Sequence, residues 1–483
     1  MKGTSVDTYS KPELVRDSKF LLISEAFATI FGLGIVIILS REIGKEEFGL
    51  WVAIFSVFQI TSIMNFGFPT LIVREVSRSP ELLYRIMKKI RRIQTIFGLV
   101  TIPVSIGLSL FFYGSDIGGN NSLFLVGFAY VFTVLQQVNR AGLRALGEAA
   151  KEVSITLLDR GLVFFLFLYL SLKSEGQIQT YASAYVLGPI IGFMVSFWFL
   201  NRFSEKSPIG EYDLLEVARD SAPFGIGLIA RPFRDGGLRV ILSFVGGFSL
   251  VAVFEIAWRA YSAGAAVTVA IRKSMLPSFS SASLNSEELK ISLSNGYLIS
   301  RWVVQLGVLV GAASSFLIPV LFTENFSQSQ LVFLLLLPSW GLMSINSTWV
   351  VAVESLLVGS KFATMMLGQL FITIFAAITI SILDSLYGVI IAVFLGEIFV
   401  FVTAYAMVRK NTSFHVEISN LFSFISTFFT FLAGYSIAVY LNEISFFSLV
   451  AVAHLIWMWW TNWRPEIPDV GKNQDIFEVR GNT

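Results

Sequence analysis

The sequence contains fourteen apolar runs, each long enough to cross a lipid bilayer as a helix of about 20 residues. More than half of the 483 residues (55%) are hydrophobic and only 14% are charged, which is more apolar surface than a soluble protein could bury. The predicted fold class is therefore an all-α polytopic membrane protein with about 14 transmembrane helices. The runs lie near residues 20–40, 49–72, 93–113, 122–143, 153–172, 180–201, 222–244, 248–271, 297–321, 329–353, 362–383, 386–408, 418–441 and 444–462.

The distribution of basic residues predicts the orientation of these spans. Of the 35 Lys and Arg residues, 25 fall in the two termini and in every second loop, whereas only Arg41, Lys45 and Lys173 fall in the other loops. Positive residues concentrate on the cytoplasmic side of a membrane. We therefore expect a multi-pass protein of the cell (cytoplasmic) membrane with both termini in the cytoplasm. The basic run KKIRR at 88–92 is explained by the same bias and needs no special partner.

An internal repeat divides the chain into two similar parts. The segment VIILSREIGKEEFGLWVAIF (36–55) resembles VILSFVGGFSLVAVFEIA (240–257), and weaker matches follow in the same order at offsets near 205 residues. We predict an N-lobe of six spans at 1–203, a cytoplasmic linker at 204–221, a C-lobe of six spans at 222–410, two further spans at 411–463 and a cytoplasmic tail at 464–483. Six is an even number, so the lobes should share one orientation, with a substrate cavity between them.

Seven basic residues remain inside the predicted spans, and all seven are arginine. A charged side chain at the bilayer centre is costly, so such residues mark functional sites or ion pairs. Arginine stays charged when desolvated and binds phosphate or carboxylate with a two-pronged guanidinium group. These candidates for binding an anionic headgroup are Arg140, Arg160, Arg231, Arg234, Arg239, Arg259 and Arg301.

Four of these arginines lie in spans 7 and 8. The segment GIGLIARPFRDGGLRVILSF (225–244) places Arg231, Arg234 and Arg239 with Asp235 on one face of a helix, which is typical of a helix that lines water. Asp235 lies four residues from both Arg231 and Arg239, so intrahelical ion pairs are possible. Glu255 lies four residues before Arg259 in span 8. Two interpretations stay open: a cavity that binds an anion, or a set of ion pairs that only stabilises the fold.

Further carboxylates lie in other spans. Asp159 is next to Arg160 and is a candidate ion-pair partner. Glu25 in span 1 and Glu397 in span 12 are candidate sites for ion coupling, with an ion pair to arginine as the alternative. The chain has no cysteine, two separated histidines and no Walker motif. We therefore predict no catalytic residue, no metal and no cofactor, and a transporter instead of an enzyme.

Two segments carry a family resemblance. LSREIGKEEFGLWVAIFSVFQITSIMNFGFPTLIVREVSR (39–78) and RALGEAAKEVSITLLDRG (144–161) resemble the corresponding segments of Wzx-type polysaccharide flippases of the MOP exporter superfamily. The resemblance implies a MATE-like fold of two six-helix bundles around a V-shaped cavity. It also implies a cargo of oligosaccharide linked to polyprenyl phosphate or diphosphate, with cavity arginines receiving the anionic headgroup. The positions here that suit this role are Arg231, Arg234, Arg239 and Arg259.

The functional hypothesis is a flippase that moves a lipid-linked oligosaccharide from the cytoplasmic to the outer leaflet by alternating access. Its partners would be this lipid, the surrounding membrane lipids and enzymes of glycan assembly, such as a polymerase or glycosyltransferases; nucleic acid is not expected, and the protein should be a monomer. Two alternatives stay open. One is a cation-coupled exporter of drugs or other small molecules with the same fold, and the other is a non-transporting scaffold in a glycan assembly complex.

Overall fold

The computed structural model describes residues 11–61, 66–78, 82–117, 123–173, 176–203, 214–281, 287–356, 359–412 and 418–463. All regular secondary structure in these residues is helical, and nine helices are long and apolar enough to cross a membrane. The fold class is therefore confirmed as an all-α polytopic membrane protein, whereas the number of fourteen crossings stays a prediction. The helices are α1 (Lys11–Glu42), α2 (Lys45–Thr61), α3 (Phe68–Arg78), α4 (Leu83–Ile117), α5 (Phe124–Ala145), α6 (Ala149–Leu172), α7 (Ile178–Phe203), α8 (Leu214–Ser281), α9 (Glu287–Ser314), α10 (Leu317–Phe322), α11 (Gln328–Leu356), α12 (Gly359–Ile380), α13 (Ser385–Asn411), α14 (Ile418–Tyr440) and α15 (Ile444–Trp463).

Helix α8 contains two of the predicted spans joined by a sharp bend. Its 68 residues would measure about 100 Å as one straight helix, more than three times the hydrocarbon thickness of a bilayer. The bend is at Gly247, whose φ of 75° and ψ of 173° are accessible to glycine and unfavourable for other residues. We call residues 214–246 the first arm and residues 248–281 the second arm of α8. The bend brings residues of spans 7 and 8 to the same region of the molecule.

Two other predicted spans are interrupted. The run at 49–72 forms α2 and α3, with Gly67 at a φ of 74° immediately before α3. The run at 297–321 forms the end of α9 and all of α10, with a turn at Ser315 and Phe316. Each short helix that follows has a proline near its start, Pro69 in α3 and Pro319 in α10, where proline is tolerated although it cannot continue a preceding helix. Hydropathy alone did not predict these breaks.

Helices α1–α7 form one packed group, although α2 packs more extensively against α8 than against the rest of this group, and α9 and α11–α13 pack mainly against one another and against α8. The most extensive contact between these groups joins α2 to α8. It is close because Gly49 has no side chain: a Cβ there would overlap the backbone oxygen of Phe248, next to the bend in α8. Helix α14 packs against α11 and α15 against α9. The lobe boundaries themselves stay a prediction, and the tail at 464–483 lies outside the described residues.

Candidate functional site

A cavity of about 290 Å³ lies between the two groups of helices. Helices α1, α2, α5, α6 and α7 line one side and the two arms of α8 line the other. Its charged lining residues are Arg160, Asp235, Arg239, Glu255 and Arg259. Three of the seven predicted arginines therefore share this cavity, which we call the central cavity.

Within the central cavity, two arginines share one carboxylate. Arg239 Nε lies 2.6 Å from Glu255 Oε2, and Arg259 Nε lies 2.6 Å from Glu255 Oε1. The side chain of Glu255 is 2% exposed and that of Arg239 8%, whereas that of Arg259 is 43% exposed and faces the open space. These three side chains therefore carry two positive charges and one negative charge. We call these three residues the Glu255 cluster.

The structure shows two of the three intrahelical contacts that the spacing of four residues allowed, those of Arg231 with Asp235 and of Arg259 with Glu255, and corrects the third. Glu255 and Arg259 form the predicted pair four residues apart. The spacing also allowed Arg239 to pair with the carboxylate of Asp235, but Arg239 Nη1 instead donates to the backbone oxygen of Asp235 at 2.9 Å. Its Nε is directed to Glu255 on the second arm, because the bend in α8 brings that arm close.

Arg231 and Arg234 lie in a different cavity from Arg239 and Arg259. This second cavity, of about 120 Å³, is formed by both arms of α8 with α11, α12 and α13. Arg231 and Arg234 both approach Asp235, at 3.9 Å and 2.9 Å, and Arg234 also lies 3.3 Å from Glu397. The prediction that all four arginines of spans 7 and 8 line one cavity is therefore wrong.

The carboxylate of Glu397 has three side-chain partners in the second cavity. It accepts hydrogen bonds from Asn346 Nδ2 at 3.2 Å and from Gln369 Nε2 at 2.9 Å, in addition to the contact with Arg234. The ion pair with arginine, considered as the alternative to ion coupling, is thus present. The side chain of Glu25 on α1 lies outside the described residues, so ion coupling at these two positions stays a prediction.

The surplus of positive charge in the central cavity is located on the Glu255 cluster. Among the described residues, Arg231 and Arg234 are balanced by Asp235 and Glu397. Arg160 lies 4.0 Å from Asp159, which is buried behind it. Among the described residues that line the central cavity and the second cavity, Arg239 and Arg259 outnumber the one carboxylate that they share. A surplus charge in a low-dielectric cavity favours an anionic partner.

Arg140 and Arg301 are not among the lining residues of the central cavity. Arg140 Nη2 lies 3.3 Å from Glu152 Oε1, and Arg144 binds both oxygens of the same buried carboxylate. Glu152 was missed in the sequence, although it lies just across the short turn between α5 and α6 from Arg144. Arg301 lies on α9 with its guanidinium carbon 6.0 Å from the ring centroid of Tyr297.

Aromatic residues of the central cavity were also missed, because single aromatic residues in apolar runs carry no pattern that separates a lining position from a core position. Trp51 packs edge-on against Tyr185 with ring centroids 5.4 Å apart, and Phe55 packs against Tyr130 at 5.2 Å. Trp258 lies on the second arm beside Arg259. The cavity thus combines cationic and aromatic surface, which suits a ligand that has both a phosphate and apolar faces.

A charged chamber between two packed groups of helices in a polytopic membrane protein is the arrangement expected of the class of membrane transporters. The chain belongs to the polysaccharide biosynthesis protein family, whose model matches residues 14–283. A search of curated protein sequences found no match. Similar solved structures include the lipid II flippase MurJ in an inward closed conformation, at 13% identity and a TM-score of 0.65, covering 92% of this chain and 99% of that one.

Two further structures share the fold. An inward-facing multidrug resistance MATE transporter of the MOP superfamily is 16% identical, with a TM-score of 0.63, covering 79% of this chain and 95% of that one. A MOP superfamily transporter from Pyrococcus furiosus, titled as having a binding pocket of reverse polarity, is 14% identical, with a TM-score of 0.58, covering 84% of this chain and 97% of that one. The chain therefore has the fold of these MOP superfamily structures, which are named as two transporters and a flippase.

Proposed function

We propose that the protein is a flippase for an oligosaccharide linked to polyprenyl phosphate or diphosphate. The observation that carries this proposal is the Glu255 cluster, in which Arg239 and Arg259 share one carboxylate beside the central cavity. The half-exposed guanidinium of Arg259 can form charge-assisted hydrogen bonds with a phosphate while Glu255 continues to bind Arg239. The aromatic side chains of the cavity would contact the sugar.

The proposed mechanism is alternating access. The phosphate and sugar enter the central cavity from the cytoplasmic side, and arginine hydrogen bonds replace the hydration that the phosphate loses. The prenyl chain stays in the bilayer, and rocking of the two lobes releases the headgroup on the other side. Competition between Glu255 and the phosphate for the same guanidinium groups keeps the affinity moderate, so release can follow. An inside-negative potential would assist outward movement of a net negative charge by about 2.3 kcal/mol per charge and 100 mV.

The test is translocation of a lipid-linked oligosaccharide by the purified full-length protein in liposomes. Arg259→Gln should reduce the rate by tenfold or more, and Arg259→Lys should retain part of it, because lysine keeps the charge and loses the forked geometry. Arg144→Gln is the matched control: its side chain is 44% exposed and shares buried Glu152 with Arg140, as Arg259 shares Glu255, but it does not line the central cavity.

The outcomes separate the three functional hypotheses. Equal rates for wild type and Arg259→Gln would overturn the anion site. Export of cationic small molecules driven by a cation gradient, without flipping of the lipid, would favour the exporter. Absence of any transport by a folded wild-type protein would favour the scaffold that assists other glycan assembly enzymes.

The location, orientation and oligomeric state are part of the same proposal. We propose a monomer in the cytoplasmic membrane. The proposed orientation, with both termini in the cytoplasm, is supported by the distribution of Lys and Arg. Reporter fusions at the two termini and at the loop near Lys173 test the orientation. Cytoplasmic signals at both termini and an external signal near Lys173 are expected, and the reverse pattern would contradict it.

A further inference from the structure

The basic run KKIRR at the start of α4 forms part of a structured cavity. This cavity, of about 310 Å³, is lined by Tyr84, Met87, Lys88 and Arg91 on α4 and by Phe197 and Leu200 on α7. It has no lining residue in common with the central cavity. The positive-inside bias explains why these charges lie on one side of the membrane, but it does not explain why Arg91 lines a cavity.

Arg91 is held by uncharged groups only. Its Nη1 donates to Asn201 Oδ1 at 3.0 Å and its Nη2 to Asn139 Oδ1 at 3.4 Å, while its guanidinium carbon lies 4.3 Å from the ring centroid of Phe197. Its Nε–H is buried and has no hydrogen-bond acceptor. Among the described residues, no carboxylate lies within ion-pair distance of Arg91, in contrast to Arg140, Arg234 and Arg239. A partly buried charge without a counter-charge favours an anionic ligand.

The surroundings of the cavity are positive. Lys88, Lys89 and Arg92 lie beside Arg91 on α4, and Arg202 lies at the end of α7 with its guanidinium carbon 3.6 Å from the ring centroid of Trp198. None of these side chains forms an ion pair with a carboxylate in the described part of the chain. A zwitterionic headgroup brings its own cation, which this surface repels, whereas a net negative headgroup is attracted.

Apolar surface continues from the cavity toward the membrane interior. Leu99 on α4, about two helical turns beyond Arg91, is 71% exposed. Met194 on α7, about one turn deeper than Phe197, is 61% exposed. Trp198 is half-exposed at the same level as the arginines, as is typical of the membrane interface. A cationic pocket below an exposed apolar wall matches a phospholipid, with its headgroup in the pocket and its acyl chains on the wall.

We propose that this cavity binds an anionic phospholipid of the surrounding membrane, with the phosphodiester on Arg91 and Lys88 and the acyl chains against α4 and α7. Bound lipid would connect the start of α4 to the end of α7. The site is separate from the cargo site, so it does not depend on the proposed function.

Native mass spectrometry of the full-length protein in detergent tests the proposal, with phosphatidylglycerol and phosphatidylcholine as probes. We expect phosphatidylglycerol to be retained and phosphatidylcholine to be lost. Arg91→Gln should weaken phosphatidylglycerol binding about tenfold, because a forked charge-assisted contact is lost. Lys88→Gln should weaken it less, and this exposed side chain forms no hydrogen bond with another described residue. Arg92→Gln is the matched control, because it removes the same charge one residue away and does not line the cavity.

Three results would overturn the proposal. Equal retention of the two phospholipids would show that the site does not select charge. Equal losses of phosphatidylglycerol binding in Arg91→Gln and Arg92→Gln would show that the lipid responds only to the total surface charge and not to this cavity. Polyprenyl phosphate that binds here while phosphatidylglycerol does not, or inorganic phosphate that binds as well as the lipid, would assign the cavity to the cargo or to a soluble anion instead of a phospholipid.

Discussion

Arg234 Nη1 lies 3.3 Å from Glu397 Oε1, which joins the first arm of α8 to α13 across 163 positions of the chain. Both side chains are buried, at 10% and 4% exposure. Arg234 also binds Asp235, which lines the central cavity, whereas Glu397 lines the second cavity. Arg234 therefore links the two cavities through its two carboxylate partners.

Removing one partner of this buried pair should destabilise the fold strongly. Arg234→Gln should lower the free energy of unfolding by about 3–5 kcal/mol, because Glu397 is left buried without a counter-charge. Glu397→Gln should lower it less, because Arg234 keeps its ion pair with Asp235. The double variant should be more stable than the sum of the two losses predicts, with a coupling of about 0.5–3 kcal/mol. Thermal and denaturant unfolding in detergent measure this.

The more exposed pair of Arg272 and Glu354, at 31% and 39% exposure, is the control for that cycle. Its loss should cost about 1 kcal/mol or less because solvent screens it. Equal costs for the two pairs would contradict the role assigned to burial.

Neutralising the shared carboxylate should strengthen binding of the cargo and slow its release. In Glu255→Gln, Arg239 and Arg259 lose their common counter-charge and become available to a phosphate. Affinity for a polyprenyl phosphate should rise on the order of tenfold, since one charge-assisted hydrogen bond contributes about 1.5–3 kcal/mol. Translocation should become slower.

Ligand binding in detergent and translocation in liposomes measure these two effects. Glu152→Gln provides the control, because Glu152 is also a buried carboxylate shared by two arginines, outside the central cavity. Unchanged or weaker binding by Glu255→Gln would contradict competition between Glu255 and the cargo.

The close approach of α2 to the bend in α8 should not tolerate a side chain. In Gly49→Ala, the added methyl group would overlap the backbone oxygen of Phe248, so the two helices must separate. Gly107→Ala is the comparison, since an added Cβ there has no atom within 4 Å and alanine favours the helix by about 0.5–1 kcal/mol. We expect a lower melting temperature for Gly49→Ala and an unchanged or higher one for Gly107→Ala. Equal melting temperatures would refute the close contact.

Arg41 should hold the predicted outer ends of the two helical groups together. Its Nε and Nη2 donate to the backbone oxygens of Leu321 and Val320, both at 2.8 Å, at the end of α10. Arg41→Gln removes these bonds and should increase the population in which α1 and α10 are apart, by about tenfold if the net loss is near 1.4 kcal/mol. Distances between spin labels on the two helices report this population. Lys45→Gln removes a charge at the same end and should not change this population. Equal distance distributions for wild type and Arg41→Gln would show that Arg41 does not hold α1 and α10 together.

Several features could be predicted from residues alone because they depend on local periodicity. The length and apolarity of the runs predicted membrane-spanning helices, and the cost of burying charge drew attention to Arg231, Arg234, Arg239 and Arg259. A spacing of four residues predicted the contacts of Arg231 with Asp235 and of Arg259 with Glu255, since such side chains are neighbours on one helix.

The sequence by itself thus determined that the chain forms apolar helices carrying buried arginines, because hydrophobicity and helical spacing are properties of neighbouring residues. Only the tertiary structure decided that Arg239 shares Glu255, that Arg234 binds Glu397 and that the arginines divide between two cavities. Those contacts depend on the bend at Gly247 and on how α8 packs against α2 and α13, and no local pattern encodes the distance between residues that are remote along the chain.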